Sequence, residues 1–132
     1  MKYTADTNVI LRIALVDDLR HYELALDAVK QAELVVLPVH SLCEFVWVLK
    51  SSYKRTPSQA AGAVRRLLEM PNIYADRPAV GAGLRALDAG GDFADGVIAF
   101  DGNRLGGDAF LTFDRDAAML MQKTGYQTLL LE

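Results

Sequence analysis

The sequence predicts an α/β domain with a mainly parallel central sheet covered by helices on both faces, and three observations lead there. Short β-prone apolar runs alternate with segments of helical periodicity from one end of the chain to the other. The run Leu34 to Leu37, closed by Pro38, has the four consecutive apolar residues of a strand buried on both faces. Finally, 132 residues that are 52% hydrophobic and 23% charged suit one core, too apolar for disorder, so residues 1–132 are expected to form a single domain.

Taken in order, Lys2 to Ala5 reads as a first strand ending at Asp6, and Asn8 to Leu15 as a buried or half-buried helix. Asp18 to Ala32 repeats Leu19, Tyr22, Leu26 and Val29 at three and four residues, an amphipathic helix with a charged outer face. After the strand at 34–37, Ser41 offers a cap for a helix running to about Ser52, with Glu44 three residues on in capping-box position. Thr56-Pro57 signals another helix start, to about Met70. Asn72 to Ala75 is a short extended piece, and Asp76 caps a helix ending near Ala89, before Gly90-Gly91. Ala94 to Leu105 reads as a helix stopped by Gly106-Gly107, Ala109 to Thr112 as a strand, Asp114 to Thr124 as a helix capped by Gly125, and Thr128 to Leu131 as a last strand.

Composition removes several function classes. Cys43 is the only cysteine, which excludes an internal disulfide and any multi-cysteine zinc site. Its apolar neighbours favour a structural role, and His21 and His40 do not stand at metal-ligand spacing. The most apolar stretch, Leu34 to Leu49, carries Pro38, His40 and Glu44 and falls short of the roughly 20 apolar residues of a bilayer-spanning helix. No leader-like apolar run precedes Asp6, so a cytoplasmic location is expected. A net charge of −3 argues against a surface that attracts nucleic acid everywhere, leaving local charge to decide. No phosphate-cradling Gly-x-x-x-x-Gly-Lys-Ser/Thr loop is present, which weighs against an NTPase.

Four acids carry the functional reading. Asp6 and Asp114 each follow an apolar strand and precede a helix, at the strand ends where open parallel sheets gather functional groups. Either could simply be an N-cap. Glu44 stands among Leu42, Cys43, Phe45, Val46, Trp47 and Val48, where an unpaired charge is costly, so it is expected to be folded back onto Ser41 or to face a metal. Asp95 opens an apolar helix that already has Asp92 as a cap, which leaves it as a metal-facing acid or a first-turn acid stabilised by the helix dipole. Carboxylates that converge repel one another unless cations intervene. Hard oxygen donors without a histidine or thiolate set suit Mg2+ or Mn2+, and such ions serve phosphodiester hydrolysis.

Asp6-Thr7-Asn8, Glu44, Ala94-Asp95-Gly96-Val97-Ile98-Ala99 and Leu111-Thr112-Phe113-Asp114-Arg115-Asp116, in this order, resemble the PIN-domain nucleases, and especially the VapC toxins of bacterial toxin–antitoxin modules. The resemblance covers nearly the whole chain. It implies a PIN-like three-layer α/β/α fold, with Asp6, Glu44, Asp95 and Asp114 as catalytic and metal-binding acids, and Asn8, Thr112 and Asp116 in support. It also implies an RNA substrate that is structured or ribosome-associated, a cognate antitoxin that blocks the site, and a homodimer. Outside the resemblance, Asn8 could only cap a helix, Thr112 only fill a strand position, and Asp116 only be a solvated first-turn acid. Gly96 departs from the pattern, where alanine or another better helix former is expected, at about 1 kcal/mol of local helix stability.

For RNA contacts the candidates are Arg115, beside Asp114, then Lys50 and Lys54, with Arg55, Arg65 and Arg66. Phe45, Trp47 and Leu49 read equally as core or dimer surface. Two rivals are weaker. A phosphotransferase using Asp6 as nucleophile would need a second acid where Asn8 stands, and a receiver-like, Mg2+-binding or protein-interaction module would need a lysine before the last strand.

Overall fold

The computed structural model describes residues 1–132, and the chain divides into two compact units, Met1–Asp76 and Arg77–Glu132.

In the first unit β1 (Lys2–Thr4), α1 (Thr7–Ala14), α2 (Leu19–Gln31), β2 (Leu34–Val36), α3 (Val39–Ser51), α4 (Pro57–Leu68) and β3 (Ile73–Tyr74) follow one another. The three strands pair in the order β1-β2-β3, all parallel, with Tyr3 opposite Val35 and Val36 opposite Tyr74. β2 is the central strand, as the four-residue apolar run anticipates, but only Val35 and Leu37 are buried, while Leu34 and Val36 are half-buried. Each helix start has a local cause. Asp6 and Asp18 accept backbone N–H bonds at the heads of α1 and α2, and Thr56 with Gln59 forms a complete capping box ahead of Pro57 at α4. The Asn72 amide donates to the carbonyls of Val29 and Ala32, so the end of α2 is closed by the segment leading into β3.

The expected start of α3 is corrected. Pro38, with φ −59° and ψ 144°, is already the N-cap and makes no side-chain cap bond, so the helix begins at Val39, two residues before Ser41. Proline's fixed φ and missing N–H suit it to a helix start. With Ser41 inside the helix, no capping box forms with Glu44.

The second unit comprises α5 (Arg77–Asp88), α6 (Phe93–Arg104), β4 (Ala109–Thr112), α7 (Arg115–Lys123) and β5 (Gln127–Leu130), with β4 and β5 parallel. Ala86, Ala99 and Met121 form its buried centre, flanked by Phe110, Leu120 and Tyr126. Its two first helices approach very closely. A Cβ at Gly83 would fall 2.6 Å from the Phe93 ring, and one at Gly96 would fall 2.5 Å from the Ala82 carbonyl oxygen and 2.7 Å from the Ala86 Cβ. The expectation that Gly96 is only a weak helix former is therefore incomplete. Its missing side chain is what lets α6 seat against α5.

All strand pairings are parallel, as expected for the α/β class. No helix is long and apolar enough to cross a membrane.

Candidate active site

Each unit brings together one pair of the predicted acids. In the first, Asp6 caps α1 through Oδ1, which accepts from the Val9 N–H at 3.1 Å. The capping role is real, yet it engages only one oxygen and fixes the orientation of the other. Glu44 lies on α3, 37 residues from Thr7, and its Oε2 accepts from the Thr7 hydroxyl at 3.1 Å. Since Thr7 is the first residue of α1, Glu44 is held beside the helix that Asp6 opens. Ser41 reinforces the arrangement by donating its hydroxyl to the Ala5 carbonyl at 3.3 Å, tying α3 to the residue before Asp6.

Glu44 thus differs from its expected setting. Leu42, Phe45, Val46 and Leu49 turn into the core while Glu44 and Trp47 face outward, Trp47 being 67% exposed. The apolar neighbours are neighbours in sequence only, and helical rotation separates them from the carboxylate. Asn8 is exposed on α1 and does not cap it. Phe45 and Leu49 are core, Cys43 is half-buried, and His21 sits by its cap, pairing with Asp18 at 2.9 Å.

In the second unit Asp92 caps α6, accepting from the Ala94 N–H at 3.2 Å, and Asp95 lies in the first turn, half-buried. Burial pushes the Asp95 carboxyl above its ordinary pKa, and the charges of Asp92 and Asp114 push it further. Asp114 caps α7, its Oδ1 accepting from the N–H groups of Asp116 at 2.9 Å and Ala117 at 3.2 Å. Thr112 does more than fill a strand position: its hydroxyl accepts from the Asp114 N–H at 2.9 Å, fixing the turn from β4 into α7. Asp116 is exposed. Arg115 pairs with Glu132 at 3.1 Å with side chains 71% and 68% exposed, a pair too solvated to hold the guanidinium firmly. Lys50 is half-buried and Lys54 exposed, the latter with φ 54°.

Sequence reasoning missed the role of Thr7 and read Ser41 only as a cap and a partner for Glu44. Thr7 stands between the two flagged residues Asp6 and Asn8, and a hydroxyl in the first turn beside a candidate ligand was the available signal. Asp92 was read only as a cap, although its spacing of three from Asp95 places both acids on one helix face.

The PIN-domain family model matches residues 3–120, beginning in β1 and ending in α7. The chain belongs to the PIN-domain family. No curated protein matches it. Among solved structures it is similar to the crystal structure of VapC20 from Mycobacterium tuberculosis, a sarcin–ricin loop cleaving toxin, with 15% identity, 96% of each chain covered and a TM-score of 0.43.

As a PIN domain the chain is a nuclease, a hydrolase acting on RNA, and has a PIN-like α/β fold with parallel strands. The chemistry of its donors can be tested against the divalent cation that PIN domains generally use. The acids are hard oxygen donors with no histidine or cysteine among them, which fits Mg2+ or Mn2+ and disfavours zinc. Asp95, raised by burial and by two neighbouring carboxylates, carries the uncompensated charge that a cation would relieve. No group of three or more histidine, cysteine, aspartate or glutamate side chains stands at ligating distance.

Proposed function

We propose that the protein is a Mg2+- or Mn2+-dependent endoribonuclease, the toxin of a toxin–antitoxin pair, in which Asp6, Glu44, Asp95 and Asp114 together hold the cations within one domain spanning residues 1–132. The observation that carries this reading is the raised Asp95 carboxyl beside Asp92 and Asp114 in a chain of the PIN family. The family match over residues 3–120 takes in all four acids.

When bound, the cation polarises the phosphodiester and acidifies a water molecule. The chain's residues position the ligands. Asp6 and Asp114 present the oxygen left over by their capping bonds, and Thr7 holds Glu44 in place. Thr112 fixes the backbone of Asp114, while Asn8 and Asp116 stand beside the acids in sequence as supporting groups. Arg115, released from its exposed pair with Glu132, would contact a phosphate flanking the scissile bond, with Lys50 and Lys54 as further contacts.

The partners proposed are a structured or ribosome-associated RNA in the cytoplasm, an antitoxin that covers the acids, and a second copy of the chain. The motif order supports the first two, and the exposed Trp47 gives a second copy an apolar contact.

The test is cleavage of a mixed cellular RNA pool by purified protein in Mn2+ or Mg2+, beside EDTA and Asp95→Asn controls. Cleavage that disappears in both controls supports the proposal. A folded, antitoxin-free protein that binds no divalent cation and cuts nothing refutes it.

A further inference from the structure

The first unit holds a second polar feature remote from its acids. Arg55, Gln59 and Arg66 line a cavity of about 210 Å3 whose floor includes Ala14, Leu49 and Ala63. Both arginines are exposed, and neither makes an ion pair. This is unusual in a chain whose acids outnumber its lysines and arginines, 17 to 14.

The seat is built locally. Gln59 spends its side-chain oxygen on the Thr56 N–H at 2.9 Å as part of the α4 capping box, which fixes the amide and leaves its NH2 to donate. A Cβ at Gly62 would stand 3.3 Å from Arg66 Nη1, so the glycine gives the guanidinium room to fold along its own helix. Two guanidinium forks and an amide donor at the rim of an apolar floor suit a phosphate joined to a sugar or base.

The position of the cavity relates it to the acids. Ala14 is the last residue of α1, and Asp6 caps the same helix at the other end, roughly 12 Å away at 1.5 Å per residue. Leu49 lies five residues beyond Glu44 on α3, roughly 7 Å along its axis. The ends of α1 and α3 that follow the acids thus carry the cavity lining, at an axial separation of about one to two nucleotides.

We propose that Arg55, Gln59 and Arg66 form an anchoring site for a backbone phosphate of single-stranded RNA, close to the bond cut at the acids. The site rests on the ribonuclease reading for its ligand class. It concentrates on one face the positive charge that the whole chain lacks.

The test uses a fluorescein-labelled single-stranded 12-mer RNA and its anisotropy across a salt series, in an Asp95→Asn background that cannot cut the probe. Adding Arg55→Gln and Arg66→Gln is expected to weaken binding about tenfold or more. The slope of log K against log salt should fall by about 1.4, near 0.7 for each single-strand phosphate that is no longer neutralised. Arg20→Gln with Lys30→Gln on α2 removes the same charge and should leave the slope nearly unchanged. Equal losses in the two pairs, or no loss in either, overturn the proposal. So does a loss confined to a hexaglutamate peptide run in parallel, which would assign the cavity to an acidic protein segment. Wild-type cleavage of the same RNA is read separately. Absent cleavage with arginine-dependent binding sinks the nuclease reading alone, and normal cleavage with arginine-independent binding sinks the anchoring site alone.

Discussion

The two acid pairs are built on opposite electrostatic plans. Asp6 and Glu44 are exposed and held by neutral donors, the Val9 N–H and the Thr7 hydroxyl. Asp95 is half-buried and faces the negative charges of Asp92 and Asp114. The first pair is oriented at little electrostatic cost. The second stores repulsion that a cation would release, and this makes Asp95 the most sensitive point of the proposed site.

That difference predicts a graded series of effects. Asp95→Asn is expected to reduce RNA cleavage by about a thousandfold or more, in line with removal of a group that stabilises transition-state charge. Asp6→Asn should lose comparable activity while keeping its helix, because asparagine caps as well as aspartate. If Asp6→Asn retained full cleavage, Asp6 would be a cap and nothing more.

Next in size is Gly96→Ala, which forces a methyl group against the Ala82 carbonyl and Ala86. It should destabilise the second unit by about 1–3 kcal/mol in denaturant unfolding, opposite to the stabilisation of about 1 kcal/mol expected for Gly→Ala in a free helix. A stabilised variant would show that α5 and α6 have slack. Thr7→Val removes the Glu44 hydrogen bond and should lower cation affinity and cleavage roughly tenfold, as for other groups that orient a ligand, with Thr7→Ser restoring both. Unaltered cation affinity would mean that Thr7 does not position Glu44 for metal.

The smallest effect is in pH dependence. The folded-state pKa of Asp95 is raised, so its contribution to stability is fully present below its unfolded value and is lost as pH rises through the folded one. In EDTA, thermal melts should show wild type losing stability relative to Asp95→Asn between acid and neutral pH. The deficit comes first from burial of the carboxylate and then from the charges of Asp92 and Asp114. A constant difference across that range would remove the electrostatic distinction between the two pairs.

Much of this was legible in the sequence because it is local. Strand runs, the helix start at Thr56-Pro57, the cap at Asp92 and glycine stops depend on residues a few positions apart. What escaped depends on partners far along the chain or on helical phase. Ser41 and Glu44 have capping-box spacing, but Pro38 starts the helix first and turns Glu44 outward. Gly96 looks like a defect until Ala82 and Ala86 are placed against it. The four acids were legible by type and by their position at element ends. The Thr7–Glu44 bond, joining residues 37 apart, was not.

The central claim is that Asp95 belongs to a cation site. Its most direct test is calorimetric titration of Mn2+ into the metal-free wild type and into Asp95→Asn, with melting curves of both recorded with and without the ion. The account predicts binding and a raised melting temperature for wild type, with both lost or greatly weakened in Asp95→Asn even though the metal-free variant is slightly the more stable protein. Equal Mn2+ binding by the two proteins would contradict it.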